Sequence, residues 1–511
     1  MKTNLTRLLQ PKTIALVGGS WAENVASQIQ KSKFSGEVWP INPNRERIAG
    51  YRCYKSIDEL PGPPDAAFIG VNKNKTIEII RELEKIGCGG ATCFASGFSE
   101  IGSPGEKLQK KMLEAAREMP FLGPNCYGYL NYLDHIYMWP DQHGGRTVKS
   151  GVAIIAQSSN IAINLTMQSR STPIAYVLTS GNQAKLDIAD LGFAMIDDPR
   201  VTAIGFYIEG IKDLRKFERM SQLALKMNKP IIALKSGKTN SSRSQSFSHT
   251  ASITGNSDIS NAFLERLGIV EVNDLDVFLE SLKVLHIAGR MKNSSVISVS
   301  CSGGEASLVS DFSILTSLKF PKFSTEKSRQ ISQILGDMVE ISNPFDYHTF
   351  IWGDTERMVK LFTTICQKTR SLVIFVLDIP RNDRCNQESF RCALDAIIEA
   401  KKATKANIAV ISSLSESMTE DLADEFLEHG IIPLCGLKTG LKSIDVSLKS
   451  TSISKNTFDK PSLISKTFLE KGTPIQLLEI DAKKILKNND IPIPKSLVTD
   501  MDTIKKDPGL L

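Results

Sequence analysis

The chain has 511 residues, of which 41% are hydrophobic and 23% charged, and its net charge is +6. At about 150 residues per domain, these figures describe a globular protein of about three or four domains. The modest charge, with no basic arm, argues against nucleic-acid binding, and no apolar run reaches the ~18 residues of a membrane span. Nine cysteines are scattered without a CxxC pair or a Cys/His metal spacing, which points to free thiols in a reducing cytoplasm and to no metal site.

A short β-branched run, a small-residue turn and a helical pattern recur along the chain, the rhythm of parallel strands covered by helices. Residues 13–17 are predicted as the first strand, turned by Gly18, Gly19 and Ser20, and residues 38–41 as the second, closed by Asn42 and Pro43. Residues 66–71 form the third, and residues 91–94 the fourth, ending at Ala95, Ser96 and Gly97. This unit ends near Gly123, Pro124, Asn125 and Cys126. The rhythm restarts at Gly151 with a strand over 152–156, after which Gln157, Ser158, Ser159 and Asn160 open a helix. Residues 203–208 and 230–234 add strands to that second unit. A third unit starts at 296–300, turns at Cys301, Ser302, Gly303 and Gly304, and continues through 372–377, 408–411 and 432–434. Residues 447–461 are rich in Ser and Lys and read as a linker. An amphipathic helix over 478–488 and an extended segment over 491–494 follow.

Glycines directly after a first strand let backbone N–H groups approach a phosphate at a helix N-terminus. The segment lacks GxGxxG spacing, and Asn42–Pro43 stands where an acidic ribose-binding residue would be expected, which argues against a nicotinamide dinucleotide. Gly237–Lys238–Thr239 suggests a P-loop, but Ile232 stands where that motif needs glycine. His249 is the most informative residue. It sits among Ser246, Ser248, Thr250 and Ser252 after a polar run, in a loop between strand and helix where function concentrates. One imidazole nitrogen can attack a phosphoryl group while an acceptor holds the other. Glu209, at the end of a strand, is the candidate acceptor. His348 is a weaker candidate, read as structural.

Taken in order, these residues resemble the α-type half of succinyl-CoA synthetase and of the NDP-forming, ADP-forming acyl-CoA synthetases. The matching features are Gly18 to Ser20, Asn42–Pro43, Ala95–Ser96–Gly97–Phe98, Gly123–Pro124–Asn125–Cys126, Gln157–Ser158, Glu209–Gly210–Ile211 and His249–Thr250. The chain departs from the family at Ser159, which stands in place of glycine, and at Ala251–Ser252. The resemblance implies an α/β fold with a Rossmann-like CoA-binding domain (1–130) and two flavodoxin-like ligase domains (150–290 and 294–446). A linker (447–470) and only the start of an ATP-grasp domain (471–511) would follow. It implies that His249 is phosphorylated, that Glu209 orients it, and that Asn125, Ser158, Ser159 and Asn160 hold phosphate. Gly18, Gly19, Ser20, Asn42, Pro43, Ala95 and Ser96 would contact CoA.

The activity expected from the resemblance is acid + CoA + ATP ⇌ acyl-CoA + ADP + phosphate, with ATP/ADP and Mg²⁺ at an ATP-grasp domain. About 30 residues follow the motif at Asp481, whereas a domain needs about 50. The expectation is therefore a chain incomplete by itself, in an oligomer with an ATP-grasp domain or subunit. Two rivals stay open, a non-catalytic CoA-binding sensory module and, with less support, a nicotinamide-dependent oxidoreductase.

Overall fold

The computed structural model describes residues 4–238, 257–289, 291, 294–336, 339–451, 477–494, 496 and 505. Its first sheet begins with β1 (Thr13–Gly18), whose apolar run is buried almost throughout. It pairs in parallel with β2 (Glu37–Ile41) on one side and β5 (Ala66–Gly70) on the other. A short hairpin, β3 (Arg47–Ile48) and β4 (Tyr51–Arg52), lies between the last two in sequence. Strands β6 (Ala91–Cys93) and β7 (Phe121–Leu122) complete the order β2-β1-β5-β6-β7, parallel throughout. Helices Ser20–Ser32, Lys73–Lys85 and Ser103–Ala116 bury an apolar stripe each against this sheet.

The second sheet has seven strands. Its antiparallel edge is a hairpin, β8 (Tyr129–Asn131) and β9 (Ile136–Met138), and its body is β10 (Gly151–Ala156), β11 (Ile174–Thr179), β12 (Val201–Ile208), β13 (Ile231–Lys235) and β14 (Val270–Val272). The order is β14-β13-β12-β10-β11-β8-β9. Residues 129 and 130, placed by sequence at the end of the first domain, thus pair with the second sheet, where Leu130 lies opposite Val177. The hairpin also joins the two sheets' layers. The Ser32 hydroxyl donates to the His135 carbonyl at 2.6 Å, Gln28 Nε2 donates to the Asp141 carbonyl at 2.7 Å, and the Tyr129 hydroxyl donates to the Leu8 carbonyl.

The third sheet follows the same logic as the first. Strands β15 (Val296–Ser300), β16 (Phe345–Asp346), β17 (Leu372–Val376), β18 (Ile408–Ile411) and β19 (Ile432–Leu434) lie in the order β16-β15-β17-β18-β19, all parallel. It is fastened to the second unit by helix Leu275–Ala288 lying on helix Leu437–Thr451. Ser443 and Ser447 hydroxyls, both buried, donate to the carbonyls of Val277 and Ser281 at 3.5 and 3.4 Å. That packing carries the helix to Thr451, into the stretch that composition assigns to a linker. Serine there is helical because its hydroxyl is satisfied across the helix pair and, for Ser447, by the Ser443 carbonyl at 2.8 Å.

A wholly buried ion pair also lies at this junction. Lys283 Nζ sits 3.0 Å from Glu280 and donates to the Arg170 carbonyl at 2.7 Å, while Arg170 reaches Glu280 at 3.2 Å. Residues 1–461 form one compact unit and residues 462–511 another. Of the latter, the described part is a helix, Glu479–Asn488, and the residues around it. Among the described residues no helix is long and apolar enough to cross a membrane.

Candidate functional site

In parallel sheets, ligand crevices form beyond the carboxyl ends of the strands. Here strand ends from the first two sheets open onto one cleft of about 960 Å³. From the first sheet come the segment after β5 (Gly70 to Lys73), the segment after β6 (Phe94 to Gly97) and Asn125 to Tyr127. From the second come Gln157 to Asn160 after β10, Gly181 and Asn182 after β11, and Glu209 after β12.

Each loop is held by a specific bond. The Glu100 carboxylate accepts the Gly97 and Phe98 N–H groups at 2.5 and 3.1 Å and also accepts from Asn182 Nδ2, so it links the two halves of the cleft. Asn125, at φ 58°, donates its N–H to the Ala95 carbonyl at 2.9 Å, and its side chain donates to Asn182 Oδ1 at 3.4 Å. Asn tolerates this left-handed conformation better than most residues. Lys73 opens the helix Lys73–Lys85, and a Cβ placed on Gly97 would lie 3.1 Å from its Nζ. The ammonium therefore rests against bare backbone in the cleft.

The second-sheet side is built around Gln157. Its buried side chain accepts N–H bonds from Glu209 and, at 2.9 Å, from Gly210, and donates to the Gly210 carbonyl at 2.7 Å. Glu209 is thereby set at the cleft wall beside the N-terminus of helix Ser159–Thr166. Ser158 caps that helix by accepting the Ile161 N–H at 3.4 Å, and Ser159 Oγ accepts the Tyr127 N–H at 3.3 Å. A helix N-terminus of this kind offers unpaired N–H groups and a favourable dipole to an anion. Cys126, also at the cleft, is buried. Burial pushes its thiol up to about 12, so it stays protonated and is no nucleophile.

Of the sequence-predicted residues, the cleft brings together Ala95, Ser96, Asn125, Ser158, Ser159, Asn160 and Glu209. Gly18, Gly19, Ser20, Asn42 and Pro43 are not among its lining. Gly18 has a fold role: at φ 140° its missing side chain admits the Gly70 carbonyl, which a Cβ would meet at 2.6 Å. Asn42 likewise ties β2 to β1 by donating to the Gly18 carbonyl at 2.9 Å. Gly19 differs, since nothing lies within 4 Å of a Cβ built on it, and Ser20 and Pro43 are exposed. His249 lies outside the described residues. Sequence reasoning missed Trp21, Lys73, Phe94, Tyr127 and Asn182. The signal for Lys73 was its position directly after a strand, and for Trp21 its place in the first turn after the glycines.

Acidic side chains also gather at the ends of β15, β16 and β17. There burial, reinforced by Asp378, pushes the Glu305 carboxyl up to about 7, and burial beside Glu305 pushes the Cys301 thiol up to about 12. His348 belongs to this third unit, exposed, with Nε2 3.8 Å from Asp346.

Residues 12–132 match a CoA binding domain, and residues 149–285 match a succinyl-CoA ligase like flavodoxin domain. An ADP-forming acetate–CoA ligase II of Archaeoglobus fulgidus is 30% identical over 370 residues, 69% of this chain and 53% of that protein. The subunit alpha of ADP-forming acetate–CoA ligase II from Pyrococcus furiosus is 28% identical over 444 residues, 84% of this chain and 94% of that one. A trans-feruloyl-CoA synthase of an unknown prokaryotic organism is 26% identical over 378 residues, 72% of this chain and 54% of its own length. The chain thus spans about half the length of several curated relatives it matches. Among solved structures, the dinucleotide forming acetyl-coenzyme A synthetase 1 of Ca. Korarchaeum cryptofilum, in complex with phosphate and ADP, superposes with TM-score 0.75 at 23% identity. That match covers 88% of this chain and 97% of the other. It establishes a common fold.

Proposed function

The chain belongs to the ADP-forming acyl-CoA synthetase family, and we propose that it is the CoA-handling part of such an enzyme, with His249 as its phosphoryl carrier. The reaction is acid + CoA + ATP ⇌ acyl-CoA + ADP + phosphate. In the direction of acyl-CoA cleavage, phosphate attacks the thioester carbonyl, CoA leaves as thiol, and an acyl phosphate forms. His249 then takes the phosphoryl group and releases the acid. The observation that carries this reading is the joint cleft, where strand ends of a CoA binding domain meet Glu209 and a helix N-terminus in a succinyl-CoA ligase like domain.

Within it, Ser158, Ser159 and Asn160 would present helix N-terminal donors to the phosphate, and Asn125 would close that side. Glu209, held by Gln157, would accept a hydrogen bond from one imidazole nitrogen of His249 and so aim the other at phosphorus. Lys73 would supply positive charge to an anionic substrate. Ala95 and Ser96 would border the CoA arm, with its phosphates over Gly18, Gly19 and Ser20. The empty space above Gly19 suits close approach of a phosphate to backbone, whereas Asn42 and Pro43 would support that turn.

Among the described residues, no three His, Cys, Asp or Glu side chains are grouped to hold a metal. ATP/ADP with its Mg²⁺ would be bound by an ATP-grasp domain, carried on a partner polypeptide or a longer chain, in an oligomeric enzyme. The described cysteines carry no disulfide, which suits a cytoplasmic setting. Isothermal titration of the whole chain with CoA is the test. Saturable binding that weakens in Gly19→Asp is expected, because a carboxylate would then face the phosphates. No saturation at millimolar CoA would overturn the reading.

A further inference from the structure

Glu100 is not among the residues lining the cleft, yet the groups that it bonds belong to the cleft wall or adjoin it. It sits in the turn Ser99–Ile101 that follows β6. One carboxylate oxygen accepts the Gly97 N–H at 2.5 Å, and the other accepts the Phe98 N–H at 3.1 Å and a bond from Asn182 Nδ2. Phe98 is wholly buried, and a Cβ placed on Gly105 would stand 1.7 Å from its carbonyl oxygen. The loop that carries Glu100 therefore has helix Ser103–Ala116 directly behind it and cannot retreat from the cleft. On the second-sheet side Asn182 is just as fixed. It is buried, its N–H donates to the Pro124 carbonyl at 2.9 Å, and a Cβ on Gly181 before it would meet that same carbonyl at 2.3 Å.

An ionised carboxylate can only accept, whereas an amide has a donating end and an accepting end. Glu100 therefore sets the direction of the amide opposite. Asn182 turns Nδ2 to the carboxylate, which leaves its Oδ1 for the next partner, and Asn125 Nδ2 donates to that oxygen at 3.4 Å. One of the two Asn125 Nδ2 hydrogens is thereby committed and the other remains to be donated. In the reversed direction an amide oxygen would stand where Nδ2 stands. A negative charge beside a cleft that is to hold anions opposes those anions, so the contribution of Glu100 lies in the two amides that it orients.

Resting on the reading of this cleft as the CoA-handling site with Asn125 at the phosphate, we propose that Glu100 is a positioning residue for phosphate. Through Asn182 it turns Asn125 so that an N–H, and not the amide oxygen, meets the phosphate. Glu100→Gln puts a group with both ends at the head of this relay. The orientation that keeps the Gly97 bond then turns an N–H towards Asn182 and reverses both amides. Adding Asn182→Asp restores an acceptor-only group one step further along. The glutamine then donates to the aspartate, and the aspartate again accepts from Asn125 Nδ2.

The test is the initial rate at which the whole chain takes up radiolabelled phosphate from a mixture with acetyl-CoA and no ATP, each substrate being varied in turn. In Glu100→Gln the phosphate concentration for half-maximal rate should rise about 10-fold, as for loss of one hydrogen bond to a charged group, while that for acetyl-CoA stays within about twofold. Glu100→Gln with Asn182→Asp should regain most of the loss. A residue needed only for folding would instead move the thermal melt and both substrates together. The melt establishes that each variant is folded; if Glu100→Gln is not, Asn182→Ala cuts the relay in its middle and should show the same phosphate shift. Unchanged phosphate dependence, an equal rise for both substrates, or a double variant no better than Glu100→Gln would overturn the inference and leave the proposed function standing. A parent that binds acetyl-CoA yet takes up no label overturns the proposed function and the inference with it.

Discussion

Replacing Gln157 by leucine isolates the feature that sets Glu209 in place. The glutamine makes three hydrogen bonds to the backbone of Glu209 and Gly210, and both Gln157 and Gly210 are buried. Each such bond contributes about 1 kcal/mol net, so their joint loss costs about 3 kcal/mol, and more where water cannot reach the abandoned backbone groups. At about 1.4 kcal/mol per factor of ten, local opening of the strand end should rise about 100-fold. Hydrogen exchange followed by mass spectrometry, on a peptide covering residues 207–212, reads this directly. Gln157→Glu keeps an acceptor for the two N–H groups but turns the donor towards Gly210 into a second acceptor. Its defect should therefore shrink at low pH, where the protonated carboxyl can donate again. Exchange in Gln157→Leu indistinguishable from the parent would refute the claim that this side chain fixes the Glu209 segment.

The two glycines of the first turn should respond differently. Gly18→Ala sets a Cβ 2.6 Å from the Gly70 carbonyl at positive φ and should cost about 1–3 kcal/mol in urea unfolding, whereas Gly19→Ala meets nothing and should stay within about 0.5 kcal/mol. Burial makes Glu305 bind its proton more tightly in the folded state, at about 7 against the usual 4.5 of a glutamate. The folded chain therefore holds more protons than the unfolded chain between those values, and stability falls as pH rises through that window. Glu305→Gln should flatten the dependence and melt above the parent at pH 8 but not at pH 5; parallel profiles would exclude this carboxyl as the cause. Lys283→Met leaves Glu280 buried with Arg170 as its remaining partner and should destabilise the chain by about 3–5 kcal/mol in urea unfolding, whereas a change below 1 kcal/mol would mean that the pair is not desolvated.

The parallel sheets were legible because their strands are buried on both faces, and runs such as Val-Ala-Ile-Ile-Ala after Gly151 have no other economical use. Strand Ile174–Thr179 carries the same signal and was passed over, though its Ala, Tyr, Val and Leu are all wholly buried. The hairpin at Tyr129–Asn131 and Ile136–Met138 was less accessible, since its residues are fixed by long-range pairing with β11 rather than by local pattern. Ser447 misled for a related reason: its polarity reads as a linker, yet its hydroxyl is satisfied inside a helix pair. In the cleft, Glu209 and Ser158 are legible from a strand end and a helix start, whereas Asn125 is expected only from the resemblance. Asn42 looked like a ligand contact but bonds to the Gly18 carbonyl. Gln157 was read as part of a phosphate loop, whereas its side chain holds the neighbouring strand. Trp21, Phe94 and Tyr127 reach the cleft from three separate segments, and no sequence period links them.

His249 is the proposed carrier of a phosphoryl group in exchange with an acyl-CoA. The whole chain, given radiolabelled phosphate together with acetyl-CoA or benzoyl-CoA and no ATP, should acquire acid-labile, base-stable label and release CoA thiol in equal amount. Glu209→Gln should lower the labelling, since the hydrogen bond can persist while the charge is lost. His249→Ala should take up none. Label that persists in His249→Ala, or a parent that binds these acyl-CoAs yet gains no label from either, would rule out His249 as that carrier.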